Sequence, residues 1–112
     1  MFDLNDAFEY QAKLQKVFNK IDLPACDDDL LGQFALALYA EIGEVLAVNK
    51  NWKPWRNKSE YNKADLWEEI ADVWIFLINL SMSCGMKFED VLKEIKRKQA
   101  ILSERLNKKE IG

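Results

Sequence analysis

The sequence predicts an all-α fold, a four-to-five-helix bundle completed by oligomerisation. Only four Gly and two Pro punctuate the 112 residues, and no window alternates strictly enough to favour a strand. Apolar residues instead recur at helical spacing in four successive stretches. The length is that of one domain, enough for a core but near the lower end of comfortable single-domain size.

A first helix is expected from about Asn5 to Lys20, with Phe8, Gln11, Leu14, Gln15 and Phe18 along one side, ending before Pro24. Asp27 to Asp29 offer an N-cap and first-turn acids for a second helix that runs to about Val48. The connection from Asn49 to Lys63 is polar, basic and aromatic at once, which is unusual for a plain linker. A third helix is expected from about Ala64 to Ser83, where Gly85 supplies a stop. The last runs from about Phe88 to Leu106 on the period of Phe88, Val91, Leu92, Ile95, Leu102 and Leu106, leaving Asn107 to Gly112 frayed.

Composition narrows the function classes. With 49% hydrophobic and 31% charged residues and four Trp, the chain reads as globular rather than disordered. A net charge of -3 without a basic face argues against a general nucleic-acid binder and leaves small phosphorylated ligands open. Cys26 and Cys84 match no metal-ligand or redox spacing and are expected as reduced thiols, although two cysteines can in principle pair. The N-terminus lacks a signal-peptide pattern, and Lys50 and Asp72 interrupt the two longest apolar runs before membrane-spanning length. The expectation is a cytoplasmic protein with no membrane partner.

Two acidic pairs break the apolar helices. Glu41 and Glu44 are the only charges between Leu30 and Lys50, and helical geometry groups them with Phe34, Ala37, Val45 and Val48. The opposite side of that helix, with Leu36, Tyr39, Ala40 and Leu46, is apolar too, so burial on two sides is expected, in a bundle or across a subunit contact. The third helix repeats the design, with Glu69 and Asp72 beside Val73, Phe76 and Leu80, and with Trp67, Trp74 and Ile78 on the other side. Inward-facing carboxylates without a partner cost several kcal/mol each, on the order of a buried unpaired charge, and no Lys or Arg interleaves these stripes. A hard divalent cation, Mg²⁺ where phosphates share it, is the natural compensator. A di-iron carboxylate site would need Glu-x-x-His pairs, and the chain contains no His.

Glu41-Ile-Gly-Glu44 followed by Glu69-Ile-Ala-Asp72 resembles the ExxE and ExxD signature of the all-α nucleotide pyrophosphatases, the superfamily of MazG-like proteins and dimeric dUTPases. Three further segments resemble the dimeric dUTPase branch. Leu14 to Ile21 is similar to a first-helix pattern in which a Gln, here Gln15, meets the uracil. Trp52-Lys-Pro-Trp55 resembles the aromatic segment that follows the first acidic pair. Lys98 to Arg105 resembles a C-terminal segment that grips phosphates, although Gln99 and Leu102 stand where that pattern has Asn.

The resemblance implies Mg²⁺-dependent hydrolysis of a nucleoside triphosphate, dUTP first, to the monophosphate and pyrophosphate. In it Glu41, Glu44, Glu69 and Asp72 hold the metal, and Glu44 is the first choice to orient or deprotonate the attacking water. Lys53, Arg56, Lys98 and Arg105 are candidates for the phosphates, although Lys98 and Arg105 equally suit an ordinary amphipathic face. Trp52 and Trp55 suit stacking on a base or plugging a core, Gln15 suits a pyrimidine edge or a polar layer, and Asn79 suits a sugar or base contact or a buried structural amide. A homodimer is the minimum assembly expected, with a homotetramer as the extension. Two other readings stay open: a MazG-like pyrophosphatase for dCTP or a damaged nucleotide, and a non-enzymatic helical module whose acids hold a structural cation.

Overall fold

The computed structural model describes residues 1–111, which form four helices: α1 (Leu4–Asn19), α2 (Asp28–Val48), α3 (Lys63–Ser83) and α4 (Phe88–Ile111). Among the described residues there is no strand, and the all-α expectation holds.

Each of the first three helices starts where a short polar side chain meets otherwise unpartnered amides. At α1 the Asp6 N–H donates to the Asp3 carboxylate (3.0 Å) and the Asp3 N–H donates to the Asp6 carboxylate (2.8 Å), a reciprocal capping box. At α2 Asp27 Oδ1 accepts from the amides of Asp29 (3.0 Å) and Leu30 (3.1 Å). At α3 Asn62 accepts from Asp65 (3.1 Å).

α3 ends as its sequence predicts. Gly85 takes φ 87, its N–H donates to Met82 O, and the Met86 N–H donates to Ser81 O, the paired bonds of a Schellman motif. A Cβ at Gly85 would be left-handed and would stand 2.7 Å from Cys26 Sγ. Gly85→Ala is therefore expected to destabilise the fold by about 2 kcal/mol, read as a lower urea midpoint at unchanged m-value.

The core lies where α1, α3 and the start of α4 meet. Phe8, Ile78 and Met82 are buried together, with Ala7, Ala12, Leu23, Phe88 and Val91 packed on them. The Phe8 and Phe88 rings meet edge to face at 5.7 Å. Inside this layer the Gln11 side-chain amide donates to Asn79 Oδ1 at 3.2 Å, tying α1 to α3 with each polar group answering the other's burial.

α2 and α3 pair antiparallel. Phe34, Leu38, Glu41, Val45 and Val48 of α2 are buried or half-buried, as are Leu66, Glu69, Val73, Phe76 and Leu80 of α3, and both sets follow a three-four spacing.

Two expectations are corrected, the end of α4 and the length of the apolar run in α2. α4 continues past Leu106 to Ile111, with Lys108 and Lys109 in its last turn, where positive charge suits the helix dipole. Within the chain α2 buries one side against α3 and leaves the other open, with Leu36 73% and Tyr39 79% exposed. At 21 residues α2 is also long and apolar enough to cross a membrane by length and composition, because the run begins as early as Leu30 and contains only Glu41 and Glu44 as charges.

Candidate active site

The acidic motifs fall in the α2/α3 seam. Glu41 occupies the seam position between Leu38 and Val45, and Glu69 the equivalent one between Leu66 and Val73. One carboxylate oxygen from each of Glu41, Glu69 and Asp72 lies within 4.8 Å of the others, and all three residues are half-buried. Three residues on from Glu41, the helix has turned Glu44 roughly 60° away, to the seam's edge. Glu44 is exposed there and stands outside the convergent trio.

Like charges dominate this seam. The Glu69 carboxyl is held above the ordinary glutamate range, first by loss of solvent and then by the charges of Asp72, Glu44, Glu41 and Glu68. Glu44 thus remains close enough to be felt. Among the described residues the ion pairs are Lys16–Asp22 and Arg97–Glu94, so no base of the chain neutralises the trio. Three convergent carboxylates without a counter-ion form an all-oxygen donor set, which fits a hard divalent cation.

The α2–α3 connection is ordered by its own side chains. The Asn51 amide group donates to Ser59 O (3.0 Å) and its Oδ1 accepts from the Ser59 N–H (2.9 Å), closing the segment as a paired strand would. The Trp52 indole N–H donates to Leu46 O at 3.1 Å, anchoring the loop to the end of α2. Trp52 and Trp55 meet edge to face at 5.9 Å, and Lys53 Nζ sits 5.3 Å from the Trp52 ring centre. Trp55 remains 71% exposed, and Arg56 is exposed beside it.

The other predicted contacts lie elsewhere. Gln15 is half-buried on α1, its Oε1 accepting from Asn19 Nδ2 at 2.9 Å. Asn79 is only 1% exposed, engaged with Gln11. Lys98 and Arg105 are exposed on α4, beyond the Phe88 and Val91 turns that pack on the core. Sequence reasoning placed Gln11 on the inward side of α1 but missed its pairing with Asn79. It also missed the Asn51 clamp, for which the Asn-rich composition of the connection was the available signal.

A family model described as dUTPase matches residues 3–110. No curated protein and no solved structure matches the chain. The match spans all four helices and both acidic motifs, and the reading as a non-enzymatic module gives way to it. Four helices that converge three acids with no base, under a match of that extent, place the chain in the dUTPase family as a dUTPase-like nucleotide pyrophosphatase.

Proposed function

We propose that the protein is a Mg²⁺-dependent dUTP diphosphatase, converting dUTP and water to dUMP and pyrophosphate. The observation that carries this reading is the convergence of Glu41, Glu69 and Asp72 without a counter-ion, in a chain of the dUTPase family. These three residues hold the cation, and Glu44 joins them as the fourth ligand from the edge of the seam. When bound, Mg²⁺ supplies neutralisation of charge on the phosphate oxygens. Glu44, at the solvent edge of the same seam, orients the attacking water and accepts its proton.

Lys53 and Arg56 meet the phosphates from the α2–α3 connection, which Asn51 and Trp52 hold in place. Of the two Trp, Trp55 is the base platform, because Trp52 spends its indole N–H on Leu46 and carries Lys53 near its ring. Gln15 reads the pyrimidine edge, and Asn79 supports α1 from behind through Gln11. Lys98 and Arg105 reach the phosphates from α4 once a second copy completes the assembly, a homodimer at least and a homotetramer by extension.

A second reading keeps the same chemistry and takes dCTP or a damaged nucleotide as the substrate, since Gln99 and Leu102 depart from the dimeric dUTPase pattern. Pyrophosphate release measured on a panel of nucleoside triphosphates separates the two. dUTP is expected to be turned over fastest with Mg²⁺ and not at all in excess EDTA. Preference for dCTP or a damaged nucleotide selects the second reading, and preference for purine triphosphates overturns both. Absence of metal-dependent hydrolysis with every nucleotide overturns the enzyme reading itself.

A further inference from the structure

We propose that Cys26 and Cys84 form a reversible intramolecular disulfide that closes the α2/α3 hairpin at its open end. The two residues face each other across an isolated antiparallel bridge, just before α2 begins and just after α3 ends. The Ala25 N–H donates to Met82 O at 2.9 Å and the Asp27 N–H to Ser83 O at 3.1 Å, holding the two backbones together. The Asp27 bond flanks the facing pair rather than joining it. Facing Cα atoms in that arrangement stand about 4.5 Å apart, inside the range of about 4.4–6.8 Å that a disulfide spans.

The Cys26 sulfur already lies on the side of the bridge where Cys84 stands. Cys26 Sγ lies over Gly85, the residue next to Cys84, in space that only a glycine leaves free. Cys84 Sγ donates to Ser81 O at 3.1 Å, a weak bond that a χ1 rotation releases. Both side chains are exposed, so a small oxidant reaches them.

The oxidant class is a low-molecular-weight disulfide such as oxidised glutathione. One Cys thiolate attacks it, forming a mixed disulfide and releasing one glutathione thiolate. The second Cys thiolate then attacks the protein sulfur of that mixed disulfide and releases the second glutathione. Two protein thiols lose two electrons and two protons, and one glutathione disulfide becomes two glutathione thiols. The ring so formed contains all of α2, the connection and α3, and with them the three converging carboxylates. Such a long loop restricts the unfolded chain strongly and holds α2 against α3 at the end that the connection does not reach.

The test treats the full chain with oxidised glutathione, quenches with acid and reads intact mass and thermal midpoint. A mass lower by about 2 Da without an adduct is expected, with the loss of both titratable thiols. A midpoint higher by on the order of 10 °C is expected, reversed by dithiothreitol and absent in Cys26→Ser and Cys84→Ser. Glutathione persisting on both cysteines, covalent dimers on a non-reducing gel, or an unchanged midpoint in the bridged monomer would each overturn the proposal.

Discussion

Glu41→Gln is expected to lower Mg²⁺-dependent pyrophosphate release from dUTP by more than about 100-fold, while the helical circular dichroism stays unchanged. The magnitude follows from outer partners of metal ligands, whose loss alone costs about 10–100-fold. Glu41 is placed to bind directly, in the seam and within 4.8 Å of both Glu69 and Asp72. The fold survives because the substitution relieves repulsion. Glu69 has its pKa raised by loss of solvent and by four neighbouring acids, so the metal-free fold loses stability as pH rises from the ordinary glutamate value through that raised one. Removing the Glu41 charge weakens that penalty. Asp72→Asn is expected to behave alike, whereas Glu68→Gln, an exposed neighbour outside the trio, should stay within a few-fold of wild type. Wild-type turnover in both Glu41→Gln and Asp72→Asn would remove the metal role from this seam.

Much of that seam was legible in the sequence because a helix converts spacing into direction. Phe34, Ala37, Val45 and Val48 mark the inward face of α2, and Glu41 falls within it. Glu44 was grouped with it, yet a step of three residues falls short of a full turn and leaves it exposed at the edge. Ends of helices were legible where a single residue type decides them, as at Asp27 and Gly85. What depends on meeting across long separations was not. Gln11 and Asn79 find each other only after α1 docks on α3, and Cys26 and Cys84 face each other only because α2 and α3 are antiparallel and similar in length. The end of α4 was misread for a local reason: polar residues without apolar period look frayed, although Lys108 and Lys109 suit a helix terminus.

Leu36→Asp is expected to weaken self-association by at least about 1,000-fold, turning a dimer at micromolar concentration into a monomer in sedimentation equilibrium. The lone chain is open for its size. Its radius of gyration is 17.7 Å, against about 13 Å for a compact domain of this size. Its accessible surface is 8871 Å², against about 6,400 Å² for a folded monomer of 13.1 kDa. The excess of roughly 2,500 Å² per chain falls within the area range of obligate dimers.

Gly32, Leu36, Tyr39, Gly43 and Leu46 form a second stripe on α2 at helical spacing, facing away from α3, and neither glycine has a neighbour within 4 Å of its missing Cβ. A second copy seated on that stripe explains why α2 is apolar on both sides. A bilayer does not, because it would also take Glu41 and Glu44 out of water. In a two-fold interface each substitution acts twice, so one Asp per chain leaves two unpaired charges to be desolvated. The wild type should also show a thermal midpoint that rises with protein concentration, and Leu36→Asp should lose that dependence. A wild-type chain that sediments as a monomer at micromolar concentration, or a Leu36→Asp variant that stays dimeric, would move the interface off this face of α2.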